Sequence, residues 1–300
     1  MMRSMLLVVI MLLSNYASAY DVWFNSNDPN FIKEIVQNKN KNALKGVKVY
    51  KMLSQNIMYS SDKELKEFFK FAKDNRIQLA LESPVLVSDR QGRGHKVEGF
   101  SSEGLMPAVL KKIKINGGNL NFFSIDETFY YSILYKGENS VGYSLTKYQE
   151  EMIRRLKIVR SYFPNAVIGD IEPFTQIENA NLLSSYFDAL DNIDKVVNID
   201  YIHYDVLWQA NWPLTLRKLR DIANKRNLKL GVIFNASGKI YSNNTWISLA
   251  KANIEKVTSS GIYFDHAIVQ GWGKYPNKTF PRADVDSQLN MVDFIHKSLK

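Results

Sequence analysis

The sequence predicts a single-domain α/β protein, a closed (β/α)8 barrel in which eight parallel strands alternate with eight helices. Short β-rich runs and amphipathic segments alternate eight times along a chain of 300 residues, a typical length for one such barrel. Strands that alternate with helices run parallel, because each crossover needs a connection of about a dozen residues. The turn after the first strand, NSNDPN, has no glycine, which disfavours an open, doubly wound sheet with a dinucleotide site.

Each predicted strand is a short run rich in β-branched and aromatic residues. The eight runs are YDVWFN (20–25), GVKVYK (46–51), IQLALE (77–82), LNFFSID (120–126), AVIGDIE (166–172), YIHYDV (201–206), LKLGVIFN (228–235) and HAIVQGW (266–272). The segments between them carry apolar residues at spacings of three and four, most clearly at 62–75 and 147–163, and 284–299 completes the eighth unit. Two long connections, 83–102 and 127–144, leave from the C-terminal face, where barrel enzymes have their active sites.

The first 19 residues predict a secretory signal peptide. Arg3 precedes an apolar run from Met5 to Leu13, and Ala17-Ser18-Ala19 fits the small-x-small cleavage pattern. The apolar run is shorter than the roughly 20 residues that span a bilayer. We therefore expect a barrel domain over 20–300 that has no transmembrane segment and is secreted or periplasmic after cleavage near Ala19.

Composition limits the chemistry and the partners. The chain has no cysteine, which excludes disulfides, thiolate catalysis and cysteine-ligated zinc. Removal of Arg3 with the leader leaves 38 basic against 30 acidic residues, a net charge of +8. This charge and the basic loop DRQGRGHK (89–96) favour a ligand that is anionic, while no nucleic-acid motif is present. The oligomeric state is not indicated.

Strand alternation predicts a ring of polar side chains at the C-terminal mouth of the barrel. In strand four, Phe123 and Ile125 suit the helix layer, so Asp126 points inward, and the same reasoning turns Asp170 and Glu172 of strand five inward. The other residues predicted at this mouth are Glu82, Glu127, His203, Asp205, Asn235 and Gln270, with Trp208 and Trp272 placed to stack on a sugar ring. Crowded carboxyl groups raise some pKa values and hold others down, as acid/base catalysis requires.

At these residues the chain resembles secreted TIM-barrel glycoside hydrolases. The similarity covers the whole mature chain and is carried by SIDET, GDIEPF and QGW. Glu172-Pro173 resembles the Asn-Glu-Pro strand end of the large retaining clan, in which the glutamate is the acid/base, although Ile171 replaces the asparagine. Asp126-Glu127 is similar to the Asp-Glu pair of hexosaminidase-type barrels. The resemblance implies cleavage of O-glycosidic bonds in a polysaccharide or glycan, with no cofactor and no metal.

Glycosidic cleavage needs one protonated carboxyl group and one ionised carboxylate. We expect Glu172 to be the proton donor and Asp126 the nucleophile or base, with Glu127, and also Glu82 and Asp205, as alternates or sugar-binding groups. The predicted substrate-binding residues are Glu82, Asp170, His203, Asp205, Trp208, Asn235, Gln270 and Trp272.

Two other functions remain open. Strands seven and eight end in Asn235 and Gln270, where the retaining clan would require a nucleophilic glutamate, so one alternative is a barrel that binds carbohydrate without cleaving it. The second alternative is a phosphodiesterase-type barrel, which generally needs a histidine pair. The chain has no His-x-His sequence, and its four histidines are His95, His203, His266 and His296. His95 and His203 would form such a pair only through the fold.

Overall fold

The computed structural model describes residues 20–26, 28–38 and 42–299, and within them eight parallel strands form a closed barrel. The strands are β1 (Asp21–Phe24), β2 (Val49–Leu53), β3 (Gln78–Ser83), β4 (Phe122–Asp126), β5 (Val167–Glu172), β6 (Tyr201–Asp205), β7 (Lys229–Phe234) and β8 (His266–Val269). Each strand pairs with its neighbours in chain order, and β1 closes the ring on β8, with Asp21 opposite His266. The predicted (β/α)8 barrel is confirmed. The predicted signal peptide, 1–19, lies outside the described residues.

Helices occupy the connections between the strands. In the described ranges they are α1 (Phe31–Asn38), α2 (Ser54–Tyr59), α3 (Asp62–Asp74), α4 (Leu105–Ile115), α5 (Leu145–Tyr162), α6 (Phe174–Asn179), α7 (Leu183–Val197), α8 (Trp212–Arg226), α9 (Asn243–Ser260) and α10 (Asn290–Ser298). A π-helical turn, Tyr130–Leu134, follows β4. Helices α3 and α5 match the predicted segments 62–75 and 147–163. Over the same described ranges, no helix is both long and apolar enough to cross a membrane.

Helix α3 illustrates how local sequence determines these elements. Ser61 caps its N-terminus, because the Ser61 hydroxyl accepts the Glu64 N–H at 3.3 Å and the Glu64 carboxylate accepts the Ser61 N–H at 2.8 Å. The buried residues, Leu65, Phe68, Phe69 and Ala72, recur at spacings of three and four and face the barrel. The helix therefore packs by one apolar stripe.

Side chains fill the interior of the barrel from its N-terminal end up to the mouth. The small apolar cluster there consists of Trp23, Val49, Ala80, Ile171, Tyr201, Ile233 and Ile268. Next to it, His203 Nε2 lies 3.0 Å from His266 Nδ1, and the Trp23 ring lies 4.8 Å from the His203 ring. Burial lowers the pKa of both histidines, that of His266 to about 4. This packed layer forms the floor below any site at the C-terminal mouth.

The prediction that Asp170 and Glu172 of β5 point into the barrel is wrong. Ile171 pairs with Asp126 of β4 and belongs to the interior cluster, so the residues on either side of it face the helices. Gly169 also faces inward, because a Cβ atom at this position would collide with the Tyr201 ring. The inner face of β5 thus consists of Val167, Gly169 and Ile171, and the glycine makes room for Tyr201 of β6.

The long connection after β3 folds back over the mouth of the barrel. Two short strands, Leu86–Val87 and Phe100–Ser101, pair within it. Buried Arg155 of α5 donates through Nε to the Val85 carbonyl at 2.9 Å and ties the connection to the barrel. Gly99 has a φ of 77°, and a Cβ atom there would lie 2.9 Å from the Asp126 carbonyl oxygen. The backbone at Gly99 therefore rests directly on the end of β4.

Candidate active site

A cavity of about 610 Å3 opens at the C-terminal end of the barrel. Its lining includes six of the residues predicted at this mouth, which are Glu82, Asp126, Glu127, Asp205, Gln270 and Trp272. The connection after β3 adds Glu98, so five carboxyl groups face one concave space. Such crowding perturbs proton affinities and is typical of acid/base sites.

Glu127 follows β4 directly and has an unusual backbone conformation. Its φ is 47°, in the left-handed region that non-glycine residues rarely adopt, and its N–H donates to the Ile171 carbonyl at 3.0 Å. Burial raises the pKa of Glu127 well above its ordinary value, the charge of Asp205 adds to this, and a hydrogen bond to Asp205 holds the proton on Glu127. A carboxyl group that keeps its proton and faces a cavity is suited to act as a general acid.

Asp126 is the last residue of β4 and points inward as predicted. Burial raises the pKa of Asp126 well above its ordinary value, and the carboxylates of Glu82 and Glu98 raise it further, against the opposing charge of Lys51. This environment favours the protonated form of Asp126, whereas a nucleophile or base must be ionised.

Glu82, at the end of β3, has a different environment. It forms an ion pair with Lys51 of β2, whose side chain is fully buried. Gln270, which follows β8, donates from Nε2 to Glu82 Oε1 at 2.9 Å and to Oε2 at 3.2 Å. The negative charge of Glu82 is therefore compensated by a cation and an amide donor while the carboxylate still lines the cavity.

Asp205 is held by residues behind the cavity wall. Burial raises the pKa of Asp205, while hydrogen bonds from Glu127 and Asn235 lower it. Asn235 Nδ2 lies 3.3 Å from Asp205 Oδ1, and the Trp208 indole donates to Asn235 Oδ1 at 2.6 Å. Trp208 and Asn235 do not line the cavity, and Trp208 instead packs on Phe234 with ring centroids 6.1 Å apart. These two residues orient Asp205.

Strand alternation does not reveal Glu98, which lies in the connection after β3. Its carboxylate accepts a hydrogen bond from the Tyr131 hydroxyl. Desolvation in the cavity raises the pKa of Glu98, the nearby carboxylates of Glu82 and Asp205 add to this, and the Tyr131 bond opposes it. The only sequence signal is the length of the loop, because nothing in the local pattern distinguishes Glu98 from a solvated acid.

Glu172 and Asp170 lie outside the cavity. Both are fully buried between β5 and the surrounding helices. Burial raises the pKa of Glu172 well above its ordinary value, Asp170 raises it further, and two backbone N–H donors lower it. The pKa of Asp170 is raised by burial to about 8. Glu172 has no path to a substrate in this position, which argues against its predicted role as the proton donor.

The remaining predicted residues differ in their access to solvent. His203 is fully buried, bonds to His266 rather than to His95, and lies below the cavity. Trp272 lines the rim and is 49% exposed, so its indole is open to a ligand. Within residues 20–26, 28–38 and 42–299, no group of three or more histidine, aspartate or glutamate side chains is arranged to hold a metal ion.

No protein-family model matches the chain, and no match is found among curated proteins. Among solved structures, the chain is similar to native xylanase 10B from Thermotoga maritima, with 11% identity and a TM-score of 0.57 over 94% of this chain and 95% of that one. It is also similar to xylanase XynB from Paenibacillus barcinonensis, with 10% identity and a TM-score of 0.53 over 91% and 89% of the two chains.

Other barrel enzymes match as well. A truncated form of 3-deoxy-D-arabino-heptulosonate 7-phosphate synthase from Thermotoga maritima is 12% identical, with a TM-score of 0.51 over 93% of this chain and 84% of that one. At such identities the similarity concerns the fold, which hosts many chemistries. The predicted resemblance to TIM-barrel glycoside hydrolases is confirmed at the level of architecture.

Proposed function

We propose that this protein is a secreted glycoside hydrolase that cleaves O-glycosidic bonds in a polysaccharide or glycan. The observation that carries the proposal is the pairing of two unlike carboxyl environments in one cavity. Glu127 is buried and hydrogen-bonded so that it keeps a proton, whereas Glu82 carries a charge compensated by Lys51 and Gln270. Glycoside hydrolysis requires such a division between a proton donor and an ionised carboxylate.

In the proposed reaction, Glu127 donates its proton to the glycosidic oxygen as the bond from that oxygen to the anomeric carbon breaks. Glu82 then follows one of two routes. It bonds to the anomeric carbon, and in a second step water attacks that carbon, gives a proton back to Glu127 and breaks the bond to Glu82; or it takes a proton from a water molecule that attacks the anomeric carbon directly. In the free site Asp205 accepts the hydrogen bond from Glu127 and orients that carboxyl group, and the same hydrogen then passes to the glycosidic oxygen. Trp272 offers its exposed indole to the C–H face of a sugar ring at the rim.

A glycan hydrolysis screen tests this proposal, with release of reducing ends as the readout. On a substrate found in the screen, Glu127→Gln and Glu82→Gln should each abolish turnover while the circular dichroism spectrum is unchanged. Glu67→Gln serves as the matched control, because Glu67 is exposed on α3, outside the cavity lining. Turnover at the wild-type rate in Glu127→Gln would show that Glu127 is not the proton donor.

Leaving-group dependence separates the two roles. A dinitrophenyl glycoside has a leaving group that needs no protonation, so Glu127→Gln should hydrolyse it far better than the natural glycan. Glu82→Gln should fail on both substrates, because the ionised carboxylate is needed whatever the leaving group.

A barrel that binds carbohydrate without cleaving it is the second candidate. The amides of Asn235 and Gln270 favour it, since each occupies an oxygen of a cavity carboxylate. Retention of the wild-type protein on an insoluble polysaccharide, with no reducing ends released from any glycan in the screen, would support this second candidate over hydrolysis.

A further inference from the structure

Glu172 is a buried carboxyl group whose two oxygens are both bound by backbone donors. Oε1 accepts the N–H of Phe129 at 2.6 Å, and Oε2 accepts the N–H of Tyr130 at 3.1 Å. The residue is 0% exposed and does not line the cavity. A chain does not bury an acid without satisfying it, so these two contacts account for the position of Glu172.

The two donors belong to the segment that leaves β4. Phe129 and Tyr130 stand at the start of the π-helical turn Tyr130–Leu134, where backbone N–H groups have no partner within the turn. Glu172, on the neighbouring strand β5, accepts hydrogen bonds from both N–H groups. It lies 43 residues from Phe129 and 42 residues from Tyr130 along the chain. A carboxyl group that accepts two consecutive N–H groups fixes both the position and the direction of that backbone.

This segment carries two side chains of the cavity. Glu127 precedes Phe129 by two residues and has the unfavourable φ of 47°, which persists only where the surroundings hold the backbone. Tyr131 follows Tyr130 and donates its hydroxyl to Glu98. Gly99, from the connection after β3, presses on the same backbone near Asp126 and Thr128. Glu172 bonds to the residues that lie between Glu127 and Tyr131.

We propose that Glu172 is a positioning residue, which fixes the backbone of Phe129 and Tyr130 so that Glu127 reaches Asp205 and Tyr131 reaches Glu98. Its effect on turnover rests on the function proposed above, whereas its effect on the orientation of Glu127 does not. The strand end that resembles a catalytic Glu-Pro sequence thus acts on the cavity through the main chain of the adjacent loop.

The test compares Glu172→Gln with Tyr186→Phe. The glutamine presents an NH2 group to one of the two N–H donors, so one of these hydrogen bonds is lost. Tyr186→Phe removes the hydroxyl that donates to Asp170 Oδ2 at 3.1 Å, a buried bond on the same strand with no contact to Phe129 or Tyr130 through that hydroxyl. Both variants lose a buried hydrogen bond, so loss of stability alone does not distinguish them.

Turnover on a substrate from the glycan screen is the first readout. We expect Glu172→Gln to lower kcat by about 100-fold with little change in KM, since small misplacement of a catalytic group costs about that much. The pH profile of kcat should shift in Glu172→Gln, whereas Tyr186→Phe should keep the wild-type pH profile. An unchanged kcat and profile in Glu172→Gln would overturn the proposal.

A second readout needs no substrate and therefore stands if hydrolysis itself is not found. In protein labelled with 13C at the glutamate carboxyl carbon, the Glu127 signal is assigned by its loss in Glu127→Gln. Its titration midpoint should fall towards that of an ordinary glutamate in Glu172→Gln and stay unchanged in Tyr186→Phe. An identical Glu127 titration midpoint in the wild-type protein, Glu172→Gln and Tyr186→Phe, all three folded, would refute the positioning role.

If Glu172→Gln does not fold, amide hydrogen exchange in the wild-type protein tests whether Glu172 holds the Phe129 and Tyr130 backbone. The Phe129 and Tyr130 amides should then be protected as strongly as those of β5, to which Glu172 belongs. Exchange of these two amides at the rate of an unprotected loop would contradict the proposal.

Discussion

Acidification should destabilise the barrel through the buried pair of His203 and His266. Burial lowers the pKa of His266 from 6.5 to about 4, so between those values the unfolded chain binds a proton that the folded protein does not. The free energy of unfolding therefore decreases as the pH falls from about 6.5 to about 4. A pKa difference of about 2.5, at about 1.4 kcal/mol per unit, corresponds to roughly 3 kcal/mol from His266 alone. Burial of His203 acts in the same direction.

Urea denaturation at about pH 7, 5.5 and 4.5 measures this loss. The comparison protein is His266→Gln, which keeps a polar side chain next to His203 and removes one titrating group. Buried carboxyl groups such as Glu127 have the opposite effect, because their raised pKa lets the folded state bind protons first and stability then rises as the pH falls. Both proteins contain these carboxyl groups, so the difference between their curves reports the histidine pair, in which the charge of His266 also lowers the pKa of His203. Parallel curves for the two proteins would refute the reasoning.

Three further variants test the packing and the rim. Lys51→Met should cost about 3–5 kcal/mol in urea denaturation, because it leaves the Glu82 charge buried without its cation, and adding Glu82→Gln should restore part of that loss. Gly169→Ala should cost about 1–3 kcal/mol and lower Tm, since its methyl group would collide with the Tyr201 ring. Trp272→Ala should leave Tm unchanged, because the side chain is half exposed, and should weaken glycan binding by about 1 kcal/mol in calorimetry.

The fold could be predicted because its signal repeats eight times along the chain. Each unit has a strand and an amphipathic helix. An error in one boundary, such as that of β2, which is predicted at 46–51 and found at Val49–Leu53, therefore leaves the number of units unchanged. Alternation also predicted the inward direction of Glu82, Asp126 and Asp205, because the residue before each of them, Leu81, Ile125 or Tyr204, does face the helix layer.

The orientation of β5 could not be obtained in this way. Barrel strands are buried on both faces, so an apolar residue does not identify the outer face. Ile171 points inward together with Gly169, because the large Tyr201 ring on the next strand leaves no space for a side chain at position 169. Glu98 and Lys51 depend on contacts between segments far apart in sequence, for which periodicity provides no information.

The hydrogen bond from Gln270 to Glu82 joins positions 188 residues apart. During synthesis on the ribosome, β3 emerges long before β8, and Glu82 has no amide donor until the final strand inserts between β7 and β1. A nascent chain, or one clipped by a protease before residue 266, would also keep two unpaired strand edges, which favour aggregation. The carboxylate site at the mouth should therefore be completed in one step with closure of the ring, and the proposed hydrolysis should be absent from molecules truncated before β8.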